Sequence, residues 1–181
     1  MNKRKQISFK VALGGVAAAL SVLLMIAAGL TSTLIYAIPM FTGALLMVLV
    51  IELGSGFATA VYVAVSVVSL LILGNKEAAV MYVVFFGYYP ILKGLLEKYF
   101  KPVLCWIIKY IIFNIAMVAS YFIVTKIFMI SMEDVEAFGK WALLLLLLAG
   151  NVVFAMYDVL LTRLVTIYFY RWQKYVKRMF K

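Results

Sequence analysis

The side chains able to do chemistry in this chain are few, and one type is missing altogether: there is no histidine. Its absence removes the commonest general base, the usual haem ligands and most zinc sites together. Ser66, Ser69 and Ser120 have no base near them in sequence, so they read as helix-packing or backbone-bonding serines rather than nucleophiles. No Walker-type phosphate loop occurs, which assigns any ATP hydrolysis to another chain. The single Cys105 precludes an intrachain disulfide and reads as a buried, inert thiol. What remains is a short set of polar groups within apolar stretches: Asn114, Asn151, Lys109 and Asp158. Each amide needs a partner on a neighbouring helix, a ligand or water. Lys109 and Asp158 fall within reach of each other and read as a structural ion pair. This inventory predicts a protein that is not an enzyme and uses no cofactor or metal.

The elements that must position these groups are membrane spans. Apolar windows run over about residues 10–30, 34–52, 57–74, 78–96, 103–125 and 141–167, each near the roughly 20 residues a span needs. Hydrophobic residues make up 67% of the 181 and charged residues 13%, with a mean hydropathy of +1.12, which excludes a soluble globular domain. The expected fold class is all-α, a polytopic six-transmembrane-helix bundle forming one domain over residues 1–181. Connectors this short leave no room for a second domain. The basic start and first apolar run have signal-peptide character, but the run is long and little connector follows it, so the segment is expected to be retained.

A net charge of +10 raises nucleic acid as a partner, but the placement of the charges favours a lipid surface. Lys3, Arg4, Lys5 and Lys10 precede the first span, Lys93, Lys98 and Lys101 lie in or beside the fourth connector, and Arg171, Lys174, Lys177, Arg178 and Lys181 follow the last. Six spans put all three regions on one side, cytoplasmic by the positive-inside rule, so both termini are expected there. The opposite side carries Lys76, Lys126 and Lys140 beside Glu77, Glu133, Asp134 and Glu136. Residues 126–140 read either as a lid or as a solvated loop. The tail from Tyr168 reads as an interfacial amphipathic segment or a basic extension of the last helix.

Small residues crowd the first span, from Ala12 to Ser21, and give a flat face for close helix approach within the chain or with another protein. Pro39 predicts a bend or break in the second span. Tyr88 and Tyr89 read as interfacial anchors, and Tyr82 as the better pocket candidate. No internal repeat is visible, so the inverted-repeat plan of many secondary transporters gains no support.

With six spans, inward termini, small size and the first-span run ALGGVAAALS from Ala12 to Ser21, the chain resembles the substrate-binding S components of energy-coupling factor vitamin transporters. In that family an AxxxA face of the first helix docks on a transmembrane coupling subunit. The resemblance implies that Gly15 and Ala19, with Gly14 and Ala18 beside them, form this face, with glycine where the motif has its first alanine. It also implies a pocket in the outer half of the bundle. The implied substrate-binding residues are Thr33, Tyr36, Tyr82, Tyr121 and Asn151, the last within a Gly150-Asn151 step like that of some S components. Aromatic faces and neutral hydrogen-bonding groups suit a flat, largely uncharged heterocycle. Implied partners are a small-molecule substrate, the coupling subunit and two ATPase subunits in a plasma membrane. Two other readings stay open: a membrane assembly or regulatory protein without a ligand pocket, and an enzyme acting on lipid intermediates.

Overall fold

The computed structural model describes residues 3–30, 34–129, 141–168 and 170. Among them the chain forms six helices and no strand. They are α1 at Lys3–Leu30, α2 at Ala37–Leu53, α3 at Ser55–Ile72, α4 at Lys76–Tyr99, α5 at Pro102–Ile127 and α6 at Ala142–Ile167. All but α2 are long and apolar enough to cross a membrane. With 17 residues α2 is about 26 Å long at the helical rise, a little short of a hydrocarbon core of about 30 Å.

The helix boundaries have local causes. Gly54 alone separates α2 from α3, and its φ of +88° is a conformation that side chains with a Cβ resist. The Asn75 side chain accepts a hydrogen bond from the Ala78 amide at 3.2 Å and so caps α4. Lys76 Nζ donates to the Leu70 carbonyl at 2.8 Å, near the C-terminus of α3 where carbonyls lack helical partners. Pro102 opens α5 in the position where its missing N–H costs nothing. The same argument corrects the expectation for Pro39. It is the third residue of α2, so no helical hydrogen bond is lost and the expected break does not arise.

Cross-helix contacts give the directions. Gly14 of α1 faces Val61 of α3, and Gly29 faces Leu73, so these two helices run parallel. Lys109 meets Asp158, and Asn114 meets Asn151, so α5 and α6 run antiparallel. The Lys10 ammonium sits 5.8 Å from the centre of the Phe57 ring, which puts the starts of α1 and α3 at one end of the bundle. That end, which also carries Lys98 in the last turn of α4 and Lys101 in the α4–α5 turn, is called the basic end; the end holding Asn75 is the distal end.

Two apolar cores share α2 and α4. One joins α1, α2, α3 and α4 around Met25, Leu46, Val65 and Tyr82. The other joins α2, α4, α5 and α6 around Phe85, Tyr89, Phe113 and Phe154. In α4, 67% of the span is buried, against 22–28% in the other four long helices, so α4 is the axis of the bundle. The axis is not a regular α-helix. Tyr82–Phe86 is a π-helical segment, closed by the Gly87 amide donating to the Tyr82 carbonyl at 2.7 Å. Tyr62 of α3 stabilises it by donating its hydroxyl to the Val83 carbonyl at 2.8 Å. Gly87 is required for that approach, because a Cβ there would lie 2.6 Å from the Tyr62 ring.

Candidate functional site

A cavity of about 350 Å³ opens in the distal half of the bundle, between α2, α4, α5 and α6. Tyr36 and Met40 line it from the start of α2, and Met81, Phe85 and Phe86 from α4 at the π-helical segment. Phe113, Met117 and Tyr121 descend one side of α5, while Gly150, Val153, Phe154 and Tyr157 face them from α6. The floor is aromatic. Phe113 stacks on Phe154 at 4.7 Å between ring centres, and Phe85 meets both rings edge-on at 5.2 and 5.7 Å. Gly150 gives Phe113 its place: a Cβ at Gly150 would lie 3.3 Å from the tip of that ring. π-helical segments in otherwise α-helical spans occur frequently at functional sites, and here the segment supplies two wall residues, Phe85 and Phe86.

The sequence-predicted pocket residues are distributed unevenly around this cavity. Tyr36 and Tyr121 line it. The Tyr36 hydroxyl donates to the Glu77 carboxylate at the start of α4, which fixes the tyrosine at the distal rim. Tyr82 does not line the cavity. It is fully buried in the other core, 6.1 Å from the Tyr62 ring, and its hydroxyl has no hydrogen-bond partner among the described residues. Asn151 lies beside the cavity without lining it, and its amide is already engaged. Its Nδ2 donates to Asn114 Oδ1 at 3.0 Å and to the Leu147 carbonyl at 2.7 Å, and its Oδ1 accepts from Asn114 at 2.9 Å. Thr33 lies outside the described residues, as do most of the 126–140 segment and nearly all of the basic tail.

The small-residue face of α1 divides in two. Gly14 is buried, and a Cβ there would contact Val61 at 3.5 Å and Leu53 at 3.9 Å; Ala18 packs against the same core. Gly15 and Ala19 point outward, and nothing lies within 4 Å of a Cβ built on Gly15. Internal contact therefore uses one half of the face and leaves the other to the surroundings.

Toward the basic end, a charged network ties α4, α5 and α6. Asp158 accepts from Lys93 at 2.8 Å, from Lys109 at 3.0 and 3.2 Å, and from the Tyr89 hydroxyl. Glu97 accepts from both lysines at 2.6 Å. Two cations face two anions, so the network carries no net charge. The predicted Lys109–Asp158 pair is present, and two further charges were not anticipated: Lys93, read as a charge in or beside the fourth connector, and Glu97. Tyr89, read as an interfacial anchor, is fully buried and bonded to Asp158. The usable signal was spacing, since Tyr89, Lys93 and Glu97 recur every four residues on one face of α4. A recess of about 270 Å³ lined by Glu97, Cys105, Trp106 and Lys109 lies against this network. The described residues contain no group of three or more His, Cys, Asp or Glu side chains placed to hold a metal.

The cavity and the network are one helical turn apart. Phe85 on the cavity floor lies 4.8 Å from the Tyr89 ring, and Tyr157 of the cavity wall is followed directly by Asp158. Comparisons of the chain with family models, with curated proteins and with solved structures returned no match.

Proposed function

We propose that this chain is the substrate-capturing membrane subunit of an ATP-driven importer for a vitamin-like micronutrient, of the energy-coupling factor type. The observation that carries the reading is the aromatic cavity, pre-formed in the distal half and walled by four different helices, at the lower end of the roughly 300–1,000 Å³ range of small-molecule pockets. A purely structural assembly protein has no need of such a space. On this reading the basic end faces the cytoplasm, the cavity faces outward in the plasma membrane, and Tyr36 and Tyr121 contact the substrate. The chain itself performs no covalent chemistry; ATP hydrolysis belongs to two partner ATPases.

The outward half of the α1 face supplies the docking surface. Gly15 and Ala19 permit close backbone approach to a coupling subunit, since association of helices in lipid depends on such approach. Gly14 and Ala18 support the face from within. The cavity and this surface lie on opposite sides of α2 and α4, so ligand and coupling subunit do not compete for space. Coupling then requires the ligand to bind the outward-facing state better than the inward-facing one.

Docking is tested by replacing Gly15 or Ala19 with Leu. Each variant is expected to lose copurification with a membrane partner while the isolated chain keeps its thermal stability. Full copurification in both variants would remove the docking surface from this account.

A further inference from the structure

The described walls of the distal cavity carry no charged side chain. Their hydroxyl groups belong to tyrosines, of which Tyr36 is committed to Glu77 and Tyr157 donates to the Met40 carbonyl at 3.3 Å. The ionic groups Lys93, Lys109 and Asp158 are buried and satisfied by one another, with aromatic rings between them and the cavity, and at the distal rim the Glu77 carboxylate already accepts from Tyr36. An anionic ligand would therefore lose its hydration against these walls without gaining a counter-ion, and a cation would meet a carboxylate only at the rim, at Glu77, which the Tyr36 hydroxyl already engages. Planar rings suit them instead, since the lining is predominantly aromatic, with Tyr36, Phe86 and Tyr121 around a packed floor of Phe85, Phe113 and Phe154.

The α6 wall is built in part from accessible residues. Leu146 and Val153 line the cavity and are 46% and 49% exposed, and Ala149 between them is exposed as well. Among the described side chains of α6, the buried ones begin at Phe154 and continue toward the basic end with Tyr157, Asp158 and Leu161. In a membrane-embedded bundle the exposed side of α6 borders hydrocarbon, so these three residues stand between the cavity and the lipid phase.

We infer that the cavity takes an uncharged, lipid-soluble molecule with a flat ring, and that the molecule arrives sideways from the bilayer past Leu146, Ala149 and Val153. The inference rests on the reading of the cavity as a ligand site, and not on the coupling to ATPases.

The test uses the full chain in phosphatidylcholine nanodiscs and two probes that share a ring system, 2-naphthol and 2-naphthoate, near neutral pH and with empty nanodiscs subtracted. Saturable binding of naphthol at one molecule per chain, tighter than naphthoate by about tenfold or more, is expected from the missing counter-charge. Ala149→Trp and Val153→Trp should each slow naphthol association by about tenfold in stopped-flow measurements, because an indole fills the lateral opening. Their unfolding temperatures should match the parent, since both positions are exposed. Naphthoate binding equal to or tighter than naphthol, or no saturable naphthol binding, overturns the ligand class. Unchanged association rates in both Trp variants overturn the lateral route. A chain that binds naphthol but never copurifies with a coupling subunit keeps this inference and loses the importer reading. A chain that copurifies but prefers naphthoate loses the inference alone.

Discussion

Asn114 and Asn151 form a reciprocal amide pair across α5 and α6, each donating to the other at 3.0 Å or less. Each amide also donates to the carbonyl four residues earlier in its own helix, Tyr110 for Asn114 and Leu147 for Asn151. The pair binds the distal half of α6, whose other described contacts are sparse, to the rest of the bundle.

Asn151→Leu is therefore expected to act on stability. It strands the Asn114 amide in an apolar setting and should cost about 1–2 kcal/mol, read as the shift in unfolding free energy in mixed micelles. Asn114→Leu should cost a similar amount, and the double variant less than their sum, because no amide is left without its partner. Additive single effects would show that the two side chains act separately.

The charged network should respond unequally to its two carboxylates. Asp158 is buried and accepts from two ammonium groups, so Asp158→Leu should destabilise by about 3–5 kcal/mol. The Glu97 side chain is 43% exposed, and water replaces its contacts, so Glu97→Gln should cost about 1 kcal/mol or less. Thermal unfolding of both variants in one detergent checks the order. Equal losses would contradict the burial difference.

Glycine positions separate internal contact from open surface. A Cβ on Gly43 would lie 2.3 Å from the Phe86 carbonyl oxygen and 2.8 Å from the Tyr157 hydroxyl, so Gly43→Ala should lower stability by about 1–3 kcal/mol. Gly15→Ala meets no neighbour and should leave stability unchanged or raise it by up to about 1 kcal/mol, the helix-propensity difference. The comparison is made on the isolated chain, where a docking partner cannot contribute.

Legibility of the chain followed the physics each signal reports. Hydropathy located five helices to within about three residues and the end of α1, because length and apolarity decide whether a segment spans; it missed the first two turns of α1, where Lys3, Arg4 and Lys5 are helical but not apolar. Pro39 misled, since its effect depends on whether it falls in the first turn, and helix starts are less visible than helix interiors. The pocket was half legible. Tyr36 and Tyr121, which the family resemblance implied, line the cavity, but the Phe and Met walls read as ordinary apolar span. Depth alone does not give the rotational face, and the π-helical segment shifts the register of α4 midway, so Tyr82 turns to one core and Phe85 to the other. Lys93 was hidden by the positive-inside pattern, in which a lysine near a helix end reads as surface.

Orientation has a direct check. In a Cys105→Ser background, Gly74→Cys at the distal end should react with a membrane-impermeant maleimide in intact cells, whereas Lys101→Cys should react only after permeabilisation. Gly74 and Lys101 are both exposed, so access to the reagent is decided by the membrane and not by the fold. The reverse pattern would invert the bundle.

The central claim, capture of a small molecule by a subunit that docks on an ATP-driven partner, is tested most directly by native mass spectrometry of the tagged full chain, gently extracted from its own membranes. The account predicts two additions to the mass of the chain: a non-covalent small-molecule adduct, and a larger assembly containing a membrane subunit with two ATPases. Spectra containing only the bare chain or its self-assemblies, under conditions that preserve other membrane complexes, would contradict it.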